Sequence, residues 1–156
     1  GHARHHHCPV DLDHRSVFSG DNFGICYREF DTDRGPFMLP TTTPVQFEPE
    51  VLHATIDRLM GYRPQRILQT HFGPVTDLER LAADLHAALR ELVRIARTHA
   101  GAPNRRARIE QEMFDYFTER LDEHGYAGDL TRRHAFIDDD VRLNTAGLEV
   151  WLDRRG

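Results

Sequence analysis

Two apolar stripes at helical spacing dominate the second half of this 156-residue chain and constrain its fold more than any other feature. Apolar residues recur at every third or fourth position from 78 to 96, and again from Ile109 to Leu121. That period is typical of amphipathic helices, each of which must bury one face. A small sheet cannot cover both stripes, so we expect the two helices to pack on each other. The first stripe consists of Leu78, Leu81, Ala82, Leu85, Leu89, Leu92, Val93 and Ala96.

Local signals predict where these two helices begin and end. Thr76-x-x-Glu79 has the capping-box pattern of a helix start. Gly101-Ala102-Pro103 breaks that first helix, and a second is predicted over 104–124, where His124-Gly125 ends it.

The end of the chain is interpreted as two further helices separated by an acidic turn. A short helix is predicted over 129–137, and Asn144 or Thr145 is expected to cap a last helix. The run Asp138-Asp139-Asp140 lacks the spaced oxygen ligands of a calcium loop, so it is interpreted as a solvated turn. Five histidines are interpreted as surface or capping groups: His53, His86, His99, His124 and His134.

The first half is rich in Pro, Gly, Thr and aromatic residues, and its predicted elements are short. In chain order they are strands over His5–Val10 and Arg15–Gly20, an irregular stretch over 21–47, a helix from Pro49 to Gly61 and a strand over Arg66–Thr70. The change of composition near residue 75 divides the chain. The predicted class is therefore α/β, with strands in region 1–75 and a helical region 76–156.

Composition excludes several kinds of chemistry. All 20 basic residues are Arg, which excludes a Schiff-base lysine and the lysine-containing phosphate loop. Neither Ser16 nor Ser19 lies in a G-x-S-x-G motif, so serine hydrolysis is not expected. A net charge of −5 without a basic stripe argues against binding to nucleic acid. No segment is apolar enough to span a membrane. Cys8 and Cys26 form no C-x-x-C pair and indicate a reducing, cytoplasmic location.

Three segments of the first half each place a metal-competent side chain at or near a predicted strand end. They are Gly1-His2, Gly20-Asp21 and Thr70-His71. Imidazole suits zinc, iron or copper, and a carboxylate can bridge two cations. Taken singly, each has a common structural alternative. An Asp after Gly often forms a turn or a cap, and a His at a strand end is often only hydrogen-bonded.

Together these segments resemble the C-terminal half of the metallo-β-lactamase fold family. The resemblance rests on G-H-A-R-H-H, F-S-G-D-N-F-G, P-T-T-T-P-V-Q-F-E-P-E, T-H-F-G-P-V and the tail N-T-A-G-L-E-V-W-L, and so covers nearly the whole chain. It implies the second half of an αββα sandwich followed by a helical tail. It also implies that His2 holds a first metal and His71 a second. Asp21, the central catalytic residue on this view, bridges the two metals or binds the second.

The activity implied by the resemblance is metal-dependent hydrolysis of an ester, thioester, lactone, amide or phosphoester in a small-molecule substrate. The implied cofactor is one or two zinc ions, with iron or manganese as alternatives. Metals in such a site lower the pKa of a bound water towards about 7 and polarise the scissile oxygen.

The chain departs from the family in one respect, because the upstream H-x-H-x-D-H motif is absent. His5-x-His7 is the nearest substitute, but Pro9 and Val10 stand where Asp and His are needed. The chain therefore carries half of the site, and we expect weak metal binding and poor turnover from it alone. We also expect a homo-oligomer, or pairing with the missing N-terminal half, since unpaired strands expose apolar faces. The alternative function is a non-catalytic half-fold that serves association.

Three further residues are candidates for a supporting or substrate-binding role. In the family a second His after the G-H segment tends to support the site, and His6 fits that position; a structural or exposed His is the alternative. Tyr27 could line a pocket and donate its hydroxyl, and Thr42 could hydrogen-bond a substrate. Loop packing and a Pro-bounded turn explain these two equally well. Cys8 is a possible soft ligand, but packing as a small hydrophobe is the stronger interpretation.

Overall fold

A computed structural model describes residues 2–3 and 6–155, and within them the chain is a mixed α/β structure with one four-stranded sheet and four helices. Adjacent strands in the sheet are also consecutive in the chain. The first and last pairs are antiparallel and the central pair is parallel. The strands are β1 (Val10–Asp11), β2 (Ser16–Gly20), β3 (Arg66–Gln69) and β4 (Pro74–Val75).

Three of these elements follow the sequence prediction closely. β2 and β3 lie within one residue of their predicted bounds, and the helix between them, α1 (Pro49–Gly61), has the predicted ends. β1 is shorter than expected, because residues 6–9 form no strand, and His5 lies outside the described residues. Pro49 suits the first helical position, where its missing N–H has no intrahelical partner to lose.

The central pair is parallel because α1 carries the chain back to the same edge before β3 begins. Side chains alternate across a strand. Val17 and Ile67 therefore point to one side, where they are fully buried. Phe18 points to the other side, aligned with Leu68 of β3, and is 49% exposed.

Three longer helices, α2 (Leu78–His99), α3 (Arg105–Glu123) and α4 (Leu130–Asp153), pack against one another. Both predicted stripes are buried at these contacts, as Leu89 of α2 and Met113 of α3 illustrate with no exposed surface. The expectation that the stripes cover each other is confirmed.

The start of α2 differs from the predicted capping box. Asp77 takes the N-cap position and makes no side-chain cap hydrogen bond, and the helix begins at Leu78. The pattern Thr76-x-x-Glu79 is therefore one residue out of register with a capping box, and that prediction is wrong.

The two helices predicted at the end of the chain are one continuous helix. Asp129 begins α4 by accepting a hydrogen bond from the backbone N–H of Arg132, and no turn interrupts the helix at 138–140. The predicted acidic turn and the predicted cap at Asn144 or Thr145 are wrong. The acidic run stays helical because each carboxylate has a partner: Asp138 with His134, Asp139 with Arg142, and Asp140 with Tyr27.

The histidines predicted as surface or capping groups fall into different environments. His124 follows α3 as its C-cap, yet it is buried and donates a hydrogen bond to the Gly35 carbonyl oxygen. His53 and His86 stack between α1 and α2 with ring centroids 4.8 Å apart, which makes them packing residues. His134 remains exposed.

The irregular stretch 21–47 packs into the core instead of crossing the surface. It contains two short 3-10 turns, Asp21–Phe23 and Arg28–Phe30, and Phe23, Phe30 and Phe47 have no exposed surface. These residues join the sheet and all four helices in one apolar core, which spans both sides of residue 75. Within the described residues, no helix combines the length and apolar character that crossing a membrane requires.

Candidate functional site

The Asp21 carboxylate lies between two histidine side chains. Asp21 follows directly after β2, His71 follows β3 by two residues, and His2 approaches from the start of the chain. Asp21 Oδ2 is 3.6 Å from His2 Nε2, and Asp21 Oδ1 is 3.5 Å from His71 Nε2. The fold thus brings together the three side chains named from the sequence, with one carboxylate oxygen facing each imidazole.

His6 adds a fourth side chain to this cluster. One ligand atom from each of His2, His6 and Asp21 lies within 4.8 Å of the other two. The rings of His2 and His6 meet edge to face, with centroids 5.6 Å apart. His71 faces Oδ1 of Asp21, the oxygen that does not face His2.

Gly20 creates the space that His6 occupies. A β-carbon on residue 20 would collide with the His6 imidazole, and Gly20 has a φ of 54° that side-chain-bearing residues rarely adopt. Both observations require glycine before Asp21. The sequence pattern G-D therefore matters for the position of His6 as well as for the turn.

Two pairs of donor atoms have the spacing that a tetrahedral metal ion requires. Bonds of about 2.1 Å at a tetrahedral angle separate neighbouring donors by roughly 3.4 Å, close to the 3.6 Å between His2 and Asp21 Oδ2 and the 3.5 Å between His71 and Asp21 Oδ1. Because the two pairs use different oxygens of Asp21, they are candidates for two separate metal positions. Asp21 Oδ1 is buried and has no hydrogen-bond partner among the described residues. A buried carboxylate oxygen without a partner is costly, and a cation would satisfy it. The donor set therefore fits zinc, and its mixture of imidazole and carboxylate also suits iron or manganese.

The protonation state of His2 favours ligation. Burial lowers the pKa of His2, although the Asp21 carboxylate acts in the opposite direction. A lowered pKa keeps the imidazole neutral, which is the form that binds a metal. Cys8 differs, because burial raises the pKa of its thiol and Cys8 Sγ bonds the Ser19 carbonyl oxygen at 3.3 Å. The thiol is thus a poor metal ligand, in line with the packing interpretation.

Tyr27 lies beside the turn that carries His71. Its ring packs on Phe72 with centroids 4.5 Å apart, and its hydroxyl donates to Asp140 Oδ2 at 2.7 Å. Burial raises the pKa of Asp140, although the hydrogen bond from Tyr27 acts in the opposite direction. Tyr27 therefore links the His71 turn to α4, and its hydroxyl is already used.

Thr42 is placed away from the cluster and has a structural contact. It is fully buried, its backbone N–H donates to Asn144 Oδ1 at 2.6 Å, and its hydroxyl donates to the Asn144 carbonyl oxygen at 2.9 Å. These bonds attach the loop to α4. Both neighbours of Thr42 approach the cluster: the Thr41 hydroxyl donates to the Asp21 carbonyl oxygen at 2.6 Å, and Thr43 Oγ1 is 3.5 Å from each ring nitrogen of His2.

Two supporting residues were not identified from the sequence. The side-chain amide of Gln69, at the end of β3, donates to the carbonyl oxygens of Phe23 and Gly24 at 2.8 and 3.0 Å. Asn22 Oδ1 accepts a hydrogen bond from the backbone N–H of His2 at 3.3 Å. Their position next to the G-D and T-H segments was the available signal, but the partners lie at least 20 residues apart.

Comparisons of this chain with protein-family models, curated proteins and solved structures found no match.

Proposed function

We propose that this chain supplies one half of the active site of a metal-dependent hydrolase related to the metallo-β-lactamase fold. The observation that supports the proposal is the Asp21 carboxylate, whose Oδ2 faces His2 and whose Oδ1 faces His71. Oδ1 is also buried and has no hydrogen-bond partner among the described residues. A carboxylate in this position can bridge two cations or bind one of them. The substrate class is a small ester, thioester, lactone, amide or phosphoester.

The residues of this chain have separate tasks in the proposed reaction. His2, His6 and Asp21 would hold one metal, and His71 with Asp21 would hold a second. Bound zinc supplies a Lewis acid that polarises the scissile oxygen and lowers the pKa of water. Thr41 and Asn22 hold the backbone at Asp21 and His2, so that the ligands are positioned before metal binds.

The site is incomplete in this proposal, because the upstream motif of the family has no counterpart in the sequence. The remaining ligands would come from a polypeptide segment outside these 156 residues. We therefore expect weak metal-dependent hydrolysis from the 156-residue chain alone. Robust turnover by the pure chain would contradict the half-site, though not the metal site itself.

Metal titration of the purified chain tests the proposal. Asp21→Asn should lower the affinity for zinc or cobalt by about 10-fold or more, because it removes a charged ligand. Asp13→Asn, an exposed carboxylate in the β1–β2 turn, is the matched control and should leave the affinity unchanged.

A second control addresses the many histidines at the start of the chain. His7→Gln changes an exposed side chain that is outside the cluster, whereas His2→Gln removes a ligand candidate. If both variants lose affinity equally, metal binds the histidine-rich segment without a defined site. That result would overturn the proposal.

A further inference from the structure

A pocket of about 290 Å³ opens beside the metal-ligand cluster, on the side of His6. It lies between residues 3, 6, 8 and 10 and the C-terminal half of α1. His6 belongs to both the pocket wall and the cluster with His2 and Asp21. A molecule held in this pocket would therefore lie next to the candidate metal ligands.

The pocket wall formed by α1 carries an arginine that has no acidic partner. Arg58 lines the pocket and, within residues 2–3 and 6–155, forms no ion pair. Arg63 and Arg90 likewise form no ion pair within the described residues, whereas Arg80 and Arg105 each contact two carboxylates. A free guanidinium presents a planar fork of donors that matches a carboxylate or a phosphate.

The remaining walls mix apolar and polar side chains and indicate a small polar ligand. Leu59, Val10, Ala3 and Tyr62 line the pocket together with Asn22, Thr55 and Cys8. Its volume is near the lower end of the roughly 300–1,000 Å³ usual for ligand pockets. A mixed wall with an arginine at its edge suits a small organic anion.

We propose that this pocket binds a small organic anion, a carboxylate or a phosphate, whose charged group pairs with Arg58 while the rest of the molecule extends past His6 towards Asp21. As a statement about the substrate, this rests on the proposed function, since the scissile bond would then lie at the metal site. The pocket itself needs no metal to bind an anion. The two ideas can therefore fail separately.

Binding of three related probes to the purified chain tests the proposal. Phenylacetate and phenyl phosphate carry the two anionic groups, and phenylacetamide is a neutral analogue of the first. We expect at least one anion to bind about 10-fold more tightly than the amide, as a charge-assisted hydrogen bond allows. Which anion binds distinguishes a carboxylate ligand from a phosphate ligand. Equal binding of all three probes would overturn the proposal.

Two variants locate the binding. Arg58→Gln should lower the affinity for the anion about 10-fold and leave the affinity for phenylacetamide unchanged. Arg63→Gln is the matched control, because Arg63 lies just beyond the same helix end and does not line the pocket. An equal loss in both variants would indicate general surface charge and would contradict the pocket.

A spectroscopic measurement separates this proposal from the metal site. The anion should shift the His6 imidazole resonances in the presence of a chelator, when no metal is bound. If the anion binds this way but the chain fails to bind zinc, the pocket stands and the hydrolase proposal fails. If zinc binds through Asp21 but the anion leaves His6 unchanged, the pocket assignment fails alone.

Discussion

The His6 imidazole occupies the space that a β-carbon on Gly20 would need. This relationship joins the start of the chain to the end of β2, directly before Asp21. It makes the position of one candidate ligand depend on the absence of a side chain 14 residues further along the sequence. The consequences can be measured on the isolated chain.

Gly20→Ala should weaken both folding and metal binding. The alanine would carry a φ of 54° and would displace His6, so we expect a loss of about 1–3 kcal/mol in the free energy of unfolding. Zinc affinity should fall as His6 moves away from Asp21. Chemical denaturation and metal titration measure the two effects. Gly61→Ala is the control, because a β-carbon there meets nothing within 4 Å. If Gly20→Ala behaves like Gly61→Ala, His6 is not held over Gly20.

The contact between Thr42 and Asn144 should be important for stability. Asn144 accepts from the backbone N–H of Thr42 and donates to the Pro40 carbonyl oxygen, and both contacts are buried. Asn144→Ala would leave these groups without partners, at a cost of about 2–4 kcal/mol. Leu143→Ala changes a half-exposed side chain on the same helix and should cost much less. Urea denaturation of both variants measures the difference, and equal losses would show that the hydrogen bonds contribute little.

Local sequence patterns predict most of the elements but little of what holds them together. The ends of α1, β2 and β3 follow from proline, glycine and apolar spacing within a few residues. The continuity of α4 could not be predicted in this way, because the partner of Asp140 is Tyr27, 113 residues away. The helical spacing of Asp138 with His134 and of Asp139 with Arg142 was a local signal, but it does not by itself distinguish a helix from a solvated turn.

In the candidate site, too, local patterns predict the main residues but not the contacts that position them. His2, Asp21 and His71 can be identified from the sequence because each stands in a short recognisable segment. The role of Gly20 in admitting His6 and the hydrogen bond from Thr41 to Asp21 depend on three-dimensional contacts. Three adjacent threonines offered no basis for choosing Thr41 over Thr42, since only the fold distinguishes their partners.

Stability should fall on the acidic side of neutrality. Burial lowers the pKa of His2, His53 and His124 from a value of 6.5, so the unfolded chain binds these protons first as the pH falls. The stabilisation that comes from keeping these histidines neutral is therefore fully present above pH 6.5. It is lost as the pH falls from there towards the lowered pKa values of the folded chain.

His124 offers the clearest test of this pH dependence. His124→Gln keeps a donor for the Gly35 carbonyl oxygen but removes the titrating group. The difference in unfolding free energy between one pH above 6.5 and one below it should become smaller in this variant. His7→Gln, at an exposed position, should retain the full difference. An unchanged difference in His124→Gln would show that burial of this imidazole does not contribute.

The outer face of the sheet should make the chain self-associate. Phe18 is 49% exposed on that face and lies beside Leu68, whereas Val17 and Ile67 on the inner face are fully buried. An aromatic side chain exposed on a sheet face gains free energy when a second copy covers it. We therefore expect the sedimentation coefficient to rise with concentration in the micromolar range. Phe18→Ser should shift this equilibrium towards the monomer, while Val51→Ser, at a comparably exposed apolar position on α1, should not. A wild-type chain that remains monomeric throughout this range would show that the face needs no cover.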